Sequence, residues 1–317
     1  MTQATKNTNI VKLIAIMVFI VVLFFGALLL CNAQKKVAHA ESGDFGGGDG
    51  TADSPYKIST GEHLQRLSAN VQGGGVNGYS GVYFILEKNI DLTAVSSGSL
   101  SGWMPIGTSL YPFYGIFLGN NKKISGININ RISDNIGLFG VTGETAVIKD
   151  LAVDGHIRGG TYTGGVVGYN FGRVENAVNY AEIGGMSSSA TDTGGIVGHN
   201  SNGSLVGNSN FGQITNTSFN VGGIAGTNDG AISKCFNAGV VNGSSNVGGI
   251  SGSNRRDGLI SEAFNNGELN ITNNFGGGIV GDNKGNICNT YNSGAIVSNG
   301  IAAVYLGMIT GKNDRSN

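Results

Sequence analysis

Few ionisable side chains in this 317-residue chain could act together chemically. Asp154, His156 and Arg158 form the densest group, and strand alternation would place them on one outer face. A polysaccharide lyase needs a base beside charge-neutralising groups, whereas a hydrolase needs two carboxylates facing one cleft. Glu182 and Glu268 hold equivalent positions but lie about 14 Å apart by strand spacing. Because charged surface residues are ordinary, the sequence favours a solvated strand face, and we assign no catalytic residue.

Metal and cofactor sites are not predicted either. No histidine stands in the HExxH spacing of a zinc protease, so all four are interpreted as lone surface side chains: His39, His63, His156 and His199. A calcium-binding β-roll carries aspartate at one fixed place in every repeat. The aspartates here are interpreted as loop residues at differing places: Asp192, Asp229, Asp257 and Asp282.

Composition excludes several classes of protein. Glycine supplies 56 residues and proline only 3, which argues against collagen and proline-rich disorder. Charged residues make up 12%, less than a disordered chain needs. The net charge is −1 and no basic cluster is present, so nucleic-acid binding is not expected. Regularly placed Ile, Val and Leu among Gly, Asn and Ser predict short strands joined by tight turns.

The N-terminal residues 1–40 are interpreted as a signal peptide or a membrane anchor. Two lysines precede an apolar run over residues 13–31, which is long enough to span a bilayer. A small-residue pattern follows, so cleavage after Ala40 is favoured over an uncleaved anchor. A lipoprotein site at Cys31 is a weaker alternative, because leucine precedes that cysteine. Each alternative exports the rest of the chain, beginning with a Gly- and Asp-rich linker at residues 41–53.

A five-residue pattern, Gly-Gly-(Ile/Val)-x-Gly, recurs through the C-terminal part of the chain. A degenerate copy begins at Ile136 and another at Gly307. Between them, clear copies begin at Gly164, Gly194, Gly222, Gly248 and Gly277. Successive copies lie 26 to 30 residues apart, and a fixed period of this size indicates a repeat architecture.

Two asparagine columns keep the same register. The first comprises Asn170, Asn200, Asn228, Asn254, Asn283 and Asn313. The second comprises Asn179, Asn210, Asn237, Asn265 and Asn292. Stacked asparagine side chains can hydrogen-bond along an axis, and asparagine also suits left-handed turns. We therefore interpret both columns as structural.

Each repeat unit offers three short apolar segments, which cannot bury a core alone. Stacked units would put the aliphatic residues in interior columns and pair each strand with its copies above and below. We therefore predict an all-β fold, a parallel β-helix with three short strands per coil. Residues 54–135 are expected to form an N-terminal cap and the first irregular coils, and residues 136–317 the regular repeats.

A short helix is expected before the first coils. Ser59–Glu62 has capping-box spacing, and Leu64, Leu67 and Val71 follow on one helical face. Such a helix would cover the open end of the stack and protect its exposed strand edges.

The chain from residue 50 onward resembles bacterial surface proteins with GLUG-type repeats, an adhesin-like family. Besides the repeats, the resemblance rests on four segments: Gly50–Ile58, Asn89–Leu92, Trp103–Gly107 and Phe113–Asn120. This chain has Leu118 where the family more often has Asp, and Asn121 where it usually has Gly. The resemblance implies a right-handed parallel β-helix exported to the cell surface. It does not imply one activity, since such repeats occur in adhesin-like proteins and in accessory regions of large surface enzymes.

The two cysteines of the repeat region are predicted to be free thiols. One full coil should separate the units that contain Cys235 and Cys288, which puts their backbones about 9.6 Å apart. A disulfide requires about 7 Å or less.

The residue before the second asparagine column is the best candidate for ligand binding. It is Val178 and Ser209 in two units and then aromatic in three, at Phe236, Phe264 and Tyr291. Alternation would turn these side chains outward, as a strip for sugar rings or a partner protein. The alternative is that they only pad the outer wall.

The function expected from these observations is adhesion, binding or surface structure, without catalysis. The expected partners are cell-surface glycans, host proteins or other partner proteins, and the membrane would be contacted only through an uncleaved N-terminal segment. A carbohydrate-active β-helix, either a polysaccharide lyase or a hydrolase, or an accessory region of one, is the alternative.

Overall fold

The computed structural model describes residues 43–97, 101–187, 189–300 and 305–314. The predicted signal peptide or anchor at residues 1–40, with Cys31 and His39, lies outside these ranges. Among the helices of the described ranges, none combines the length and the apolar character needed to cross a bilayer.

Parallel strands wind into a β-helix of about nine coils, so the predicted fold is confirmed. One interior column has a single residue in every coil, each paired in register with the next: Tyr56, Phe84, Phe117, Ile148, Val174, Leu205, Ile232, Ile260 and Ile287. Every member is buried except Ile287, which is half-buried. The core therefore arises between coils, because a single coil has too few apolar residues to enclose one.

The strands are short because glycine and asparagine interrupt them at every corner. In chain order, those of the described residues are β1 Tyr56–Ile58, β2 Tyr83–Leu86, β3 Ile90–Asp91, β4 Ile116–Asn130, β5 Phe139–Thr142, β6 Val147–Gly159, β7 Thr163–Gly164, β8 Val167–Asn170, β9 Arg173–Glu175, β10 Val178–Asn179, β11 Glu182–Gly185, β12 Thr193–Gly194, β13 Val197–Asn200, β14 Ser204–Val206, β15 Ser209–Asn210, β16 Ile214–Gly222, β17 Ala225–Asn228, β18 Ala231–Ser233, β19 Phe236–Asn237, β20 Val241–Gly248, β21 Ser251–Asn254, β22 Leu259–Ser261, β23 Phe264–Asn265, β24 Leu269–Ile271, β25 Phe275–Gly277, β26 Val280–Asn283, β27 Asn286–Cys288, β28 Tyr291–Asn292, β29 Ile296–Ser298, β30 Tyr305–Gly307 and β31 Thr310–Asn313. The long strand β4 bends at Asn120 and Asn121, whose φ angles are 53° and 56°. Asparagine tolerates this left-handed conformation.

One side of the β-helix is a parallel sheet. Each of its strands begins within one copy, clear or degenerate, of the five-residue glycine pattern. Within the described residues this sheet has seven strands, in the order β31-β26-β21-β17-β13-β8-β5. The remaining sides belong to the larger sheet that holds the other paired strands. The paired glycines are needed for close approach of the backbone: a Cβ on Gly222 would lie 2.0 Å from the Ala225 carbonyl oxygen.

Both asparagine columns form hydrogen-bonded ladders inside the β-helix. In the first, each Nδ2 donates to the Oδ1 of the asparagine in the next coil at 2.8–2.9 Å. In the second, the same bonds measure 2.7–2.8 Å. Each Nδ2 also donates to a carbonyl oxygen in its own turn, as from Asn237 to Gly239 at 3.0 Å. From Asn170 onward, the ladders thereby satisfy buried backbone groups at two corners of the repeat coils.

The expected helix, α1, spans Gly61–Gln72. Thr60 is its N-cap, and the Thr60 hydroxyl accepts a hydrogen bond from the His63 N–H at 3.3 Å. The three apolar residues of its predicted face, Leu64, Leu67 and Val71, are fully buried. A 3-10 helix at Gly75–Tyr79 and the short helix α2 at Thr93–Ser97 complete the helical elements of the described part.

The first coil is closed by the segment that precedes it. The Gly46 N–H donates to the Lys57 carbonyl oxygen, and the Lys57 N–H donates to the Gly47 carbonyl oxygen, both at 2.9 Å. These bonds occupy the outer edge of β1. Behind this edge the core is aromatic, with successive ring centroids 5.1–6.1 Å apart along Phe45, Tyr56, Phe84, Phe113 and Phe139.

Candidate functional site

An aromatic ladder runs along the outside of five successive coils. It consists of Tyr180, Phe211, Phe236, Phe264 and Tyr291. The last three rings stack in parallel at 5.3 Å, with interplanar angles of 5–6°. Tyr180 stacks on Phe211 at 5.4 Å, and Phe211 meets Phe236 edge-on at 6.0 Å. The rings follow the spacing of the coils, so they form one continuous apolar ridge parallel to the axis.

The ladder is longer than the strip expected from sequence. Phe236, Phe264 and Tyr291 precede the buried asparagine and point outward, whereas Tyr180 and Phe211 follow it. Both positions face outward, since strand side chains alternate about the inward asparagine. Tyr180, Phe211 and Tyr291 are 49%, 46% and 62% exposed. A search for aromatic residues on either side of each column asparagine would have found all five.

A polar groove lies on the neighbouring face, beginning two residues beyond Tyr180. It encloses about 470 Å³. Its lining side chains come from three coils: His156 and Arg158, then Glu182 and Met186, then Gln213, Thr215 and Thr217. In register, Gly184 pairs with Arg158 on one side and with Thr215 on the other. The groove is therefore a gap in a column of outward side chains, where the middle coil has glycine.

The ionisable cluster expected on this face is only partly assembled. His156 and Arg158 are exposed and line the groove, but Asp154 is paired with Lys123 at 3.2 Å and lies outside it. Glu182 takes the place of Asp154, since its Oε2 lies 3.1 Å from the His156 Nδ1. The guanidinium of Arg158 has no ion-pair partner among the described residues. The register places Glu268 three coils beyond Glu182, as expected, so these two carboxylates do not face one cleft.

A row of surface amides extends the groove toward the C-terminal coils. Asn299 donates to Asn270 at 3.0 Å, Asn270 donates to Asn242 at 3.1 Å, and Asn242 donates to the Thr215 hydroxyl at 3.1 Å. Gln213 also donates to the Thr215 hydroxyl, at 3.3 Å. Both lone pairs of that oxygen are thus used, and its own O–H remains able to donate to a ligand.

His199 contradicts the interpretation of the histidines as lone surface side chains. It is 3% exposed, and its two ring nitrogens lie 2.9 Å from Asp192 Oδ2 and from Asp229 Oδ2. Both contacts are hydrogen bonds only when the imidazole carries two protons or one carboxyl is protonated. Tyr169 stacks on the ring at 4.7 Å. The carboxylates lie at opposite nitrogens, so the cluster ties coils together and does not converge on one metal ion.

The loop interpretation of the aspartates is wrong for Asp282. It lies in strand β26 and is buried, where the register puts it between Ser253 and Lys312. Asp282 lies in the same register column as His199, with Thr227 and Ser253 between them. Within the described ranges, no group of three or more His, Cys, Asp or Glu side chains could hold a metal ion.

No protein-family model matches the chain. Two relatives match part of it. One, from Evansella cellulosilytica, is named "Putative Gly-rich membrane protein" and is 38% identical over 146 residues, which is 44% of this chain and 16% of the relative. The other, "Halomucin" from Haloquadratum walsbyi, is 30% identical over 157 residues, which is 48% of this chain and 2% of the relative. The chain thus spans a small share of each relative's length.

A solved structure shares the fold. The crystal structure of a "putative immunoglobulin A1 protease" from Bacteroides ovatus aligns with a TM-score of 0.55 and 20% identity, covering 84% of this chain and 74% of that one. At this identity the likeness concerns the β-helix alone.

Proposed function

We propose that this protein is an exported, cell-surface β-helix that binds extended glycan chains through its aromatic ladder, in an adhesive role without catalysis. The ladder is the observation that carries the proposal. A regular apolar ridge on a glycine-rich outer wall is not needed to fill the core, which the interior columns already fill. The predicted N-terminal signal or anchor and the names of the two relatives support a location at the cell surface.

The ladder suits an extended sugar polymer better than a compact ligand. The five rings of the ladder span about 20 Å along the axis at the spacing of parallel strands. Two residues beyond each of its first two rings, the chain turns to polar side chains, Glu182 after Tyr180 and Gln213 after Phe211. A glycan chain likewise offers C–H surfaces beside hydroxyl groups, so it can contact the ridge and the polar face together.

The test is a triple variant, Phe236→Ala, Phe264→Ala and Tyr291→Ala, assayed on a glycan array and in a cell-adhesion assay. We expect binding to weaken by roughly 100-fold, because each of the three rings contributes about 1 kcal/mol to aromatic contacts. The matched control is Phe219→Ala, since Phe219 is 51% exposed but lies outside the ladder. Unchanged glycan and cell binding in the triple variant would contradict the proposal. If the triple variant loses binding to protein partners alone, the ladder binds a protein and not a glycan.

The second candidate is a polysaccharide lyase, favoured by the contact between His156 and Glu182 beside the unpaired Arg158. In such a reaction the base removes the proton at C5 of a uronate, the C4–O bond breaks as a C4=C5 double bond forms, and the leaving oxygen takes a proton from water. Arg158 would neutralise the uronate carboxylate.

Incubation with pectin, alginate and glycosaminoglycans separates the two candidates. Unsaturated uronates that appear with the wild type and disappear with His156→Gln would establish the lyase. New reducing ends without unsaturated products would indicate a hydrolase. Binding without either product is expected from the adhesive function.

A further inference from the structure

The polar groove around Gly184 has the size and the lining of a ligand-binding site. Neighbouring coils carry Arg158 and Thr215 at the position of Gly184, and later coils carry Asn242 and Asn270. Among these coils, only the one that contains Gly184 has no side chain at this position. The resulting volume of about 470 Å³ falls within the range of small-ligand sites, about 300–1,000 Å³.

The groove offers a cation that no described side chain neutralises. Arg158 is exposed and stands at the edge of the gap, with its aliphatic stem 3.7 Å from where a Cβ of residue 184 would lie. The one carboxylate in the groove, that of Glu182, is already engaged by His156. Guanidinium has a planar fork of donors that matches a carboxylate bidentately, which a lone ammonium does not.

The rest of the lining suits a sugar. The Thr215 hydroxyl has a free proton to donate, and Thr217 and Gln213 stand exposed on the same face. Met186 is half-buried and gives an apolar patch beside them. A pyranose ring needs this mixture, with hydrogen-bonding groups around its rim and an apolar surface against its C–H face.

We propose that this groove binds a uronic-acid unit of an acidic polysaccharide, with the carboxylate on Arg158 and the ring hydroxyls on Thr215 and Thr217. The site contains none of the five rings of the aromatic ladder and requires no catalysis, although Glu182 and Gln213 belong both to its lining and to the polar face beside the ladder. The amide row of Asn242, Asn270 and Asn299 continues along the same face, so flanking sugars of the chain meet further hydrogen-bonding groups there.

Isothermal titration of the folded protein with trigalacturonate and with trimannuronate tests the site. Arg158→Gln is expected to weaken binding roughly 10- to 100-fold, the loss typical of a charge-assisted hydrogen bond. The matched control is Arg173→Gln, because Arg173 is exposed but paired with Glu175 at 2.8 Å, outside the groove. A neutral galactose trisaccharide should bind wild type and Arg158→Gln equally weakly.

A second variant, Gly184→Asn, is expected to fill the gap and leave the fold intact. A Cβ at this position meets its neighbours at 3.4–3.7 Å, which is ordinary contact, and asparagine already occupies the column in later coils. We expect it to abolish uronate binding while the urea unfolding midpoint stays within error of the wild type. The triple aromatic variant should keep uronate binding, which makes failure of this site distinguishable from failure of the ladder.

Three results would overturn the proposal. One is the absence of binding of either uronate to the wild type. Another is equal affinity for the uronates and the neutral trisaccharide. The third is that the groove variants do not differ from the control, either because Arg158→Gln and Gly184→Asn both keep the wild-type affinity or because Arg173→Gln loses as much affinity as they do.

Discussion

The two cysteines of the β-helix meet opposite surroundings. Cys235 is 2% exposed, whereas Cys288 is exposed, and both are free thiols. Burial raises the pKa of the Cys235 thiol to about 11, and the thiolate is the nucleophile. We expect iodoacetamide at pH 8 to label Cys288 but not Cys235 in the folded protein, and both after denaturation, as read by peptide mass spectrometry. Labelling of Cys235 as fast as Cys288 would contradict this.

The same thiol predicts a pH dependence of stability. Between about pH 9, the ordinary pKa of a free thiol, and about pH 11, the unfolded state loses the Cys235 proton while the folded state keeps it. The folded state then binds more protons, so the free energy of unfolding falls as pH rises through this window. Cys235→Ala should lack this contribution, because alanine holds the same position at Ala177 and Ala263. Urea unfolding of both proteins at pH 8, 9.5 and 11 measures it; a constant difference between them would rule it out.

Single residues that break the repeat were beyond the reach of sequence reasoning. His199 bonds to Asp192, seven positions earlier, and to Asp229, thirty positions later. The same column holds Tyr169 and Thr227 in the adjoining coils, so no recurring residue type signals the pair. Chemistry that occurs in one coil alone leaves no periodic trace.

At the scale of the element, the asparagine ladders are expected to dominate local stability. The Asn237 side chain accepts from Asn210 and from the Gly239 N–H, and it donates to Asn265 and to the Gly239 carbonyl oxygen. Asn237→Leu would leave these buried groups without partners, and we expect a loss of about 2–5 kcal/mol in the free energy of unfolding. Urea denaturation followed by circular dichroism measures it.

Asn266 provides the matched control for the Asn237→Leu variant of the asparagine ladder. It is exposed and sits one residue beyond a column asparagine, where its side chain only accepts from the Ser293 hydroxyl. Asn266→Ala should change the free energy of unfolding by no more than about 0.5 kcal/mol. Equal losses in the two variants would show that the ladder has no special role.

Elements were predictable where their residues recur. The spacing of Gly-Gly and Asn indicated which side chains face inward. The capping-box spacing of Ser59–Glu62 with its apolar followers indicated α1, although the N-cap is Thr60 and not Ser59. The aromatic ladder was found only in part, because it crosses from one side of the asparagine column to the other between Phe211 and Phe236. The groove depends on the absence of a side chain at Gly184, and a missing side chain is inconspicuous among 56 glycines.

For the whole molecule, the register predicts that one complete coil can be removed. Phe236 pairs with Phe264 and Asn237 with Asn265, and Asn237 and Asn265 are 28 positions apart. Deleting residues 237–264 joins Phe236 to Asn265. This junction restores the Phe-Asn dipeptide and keeps both the aromatic ladder and the asparagine ladder continuous. We expect a folded β-helix with an unchanged circular dichroism spectrum per residue, a smaller urea m-value and a lower free energy of unfolding.

A deletion of half a coil is the matched control. Removing residues 237–250 would join Phe236 to Ser251 and set a strand of one side against the corner of another. This variant should lose its cooperative unfolding transition. If both deletions unfold the protein, coils are not the independent units that the register implies.

The whole fold was more predictable than the site for a physical reason. Because the coils stack, each coil needs the same types of residue in its interior. These residues therefore recur in the sequence and reveal the architecture. A ligand touches only a few coils at one place on the outer wall, where His156, Arg158 and Gly184 differ from their counterparts.

The direction of the buried ladders has an electrical consequence. Along both columns, each amide that pairs with the next coil directs one N–H toward the following coil and its oxygen toward the preceding one, while the surface row from Asn299 to Thr215 points the opposite way. Each amide carries a dipole like that of a peptide unit, about 3.5 D, and chains of such bonds polarise one another. The two buried columns therefore give the stack a positive pole toward its C-terminal coils. Two copies lying side by side would attract in opposite orientation and repel in the same one.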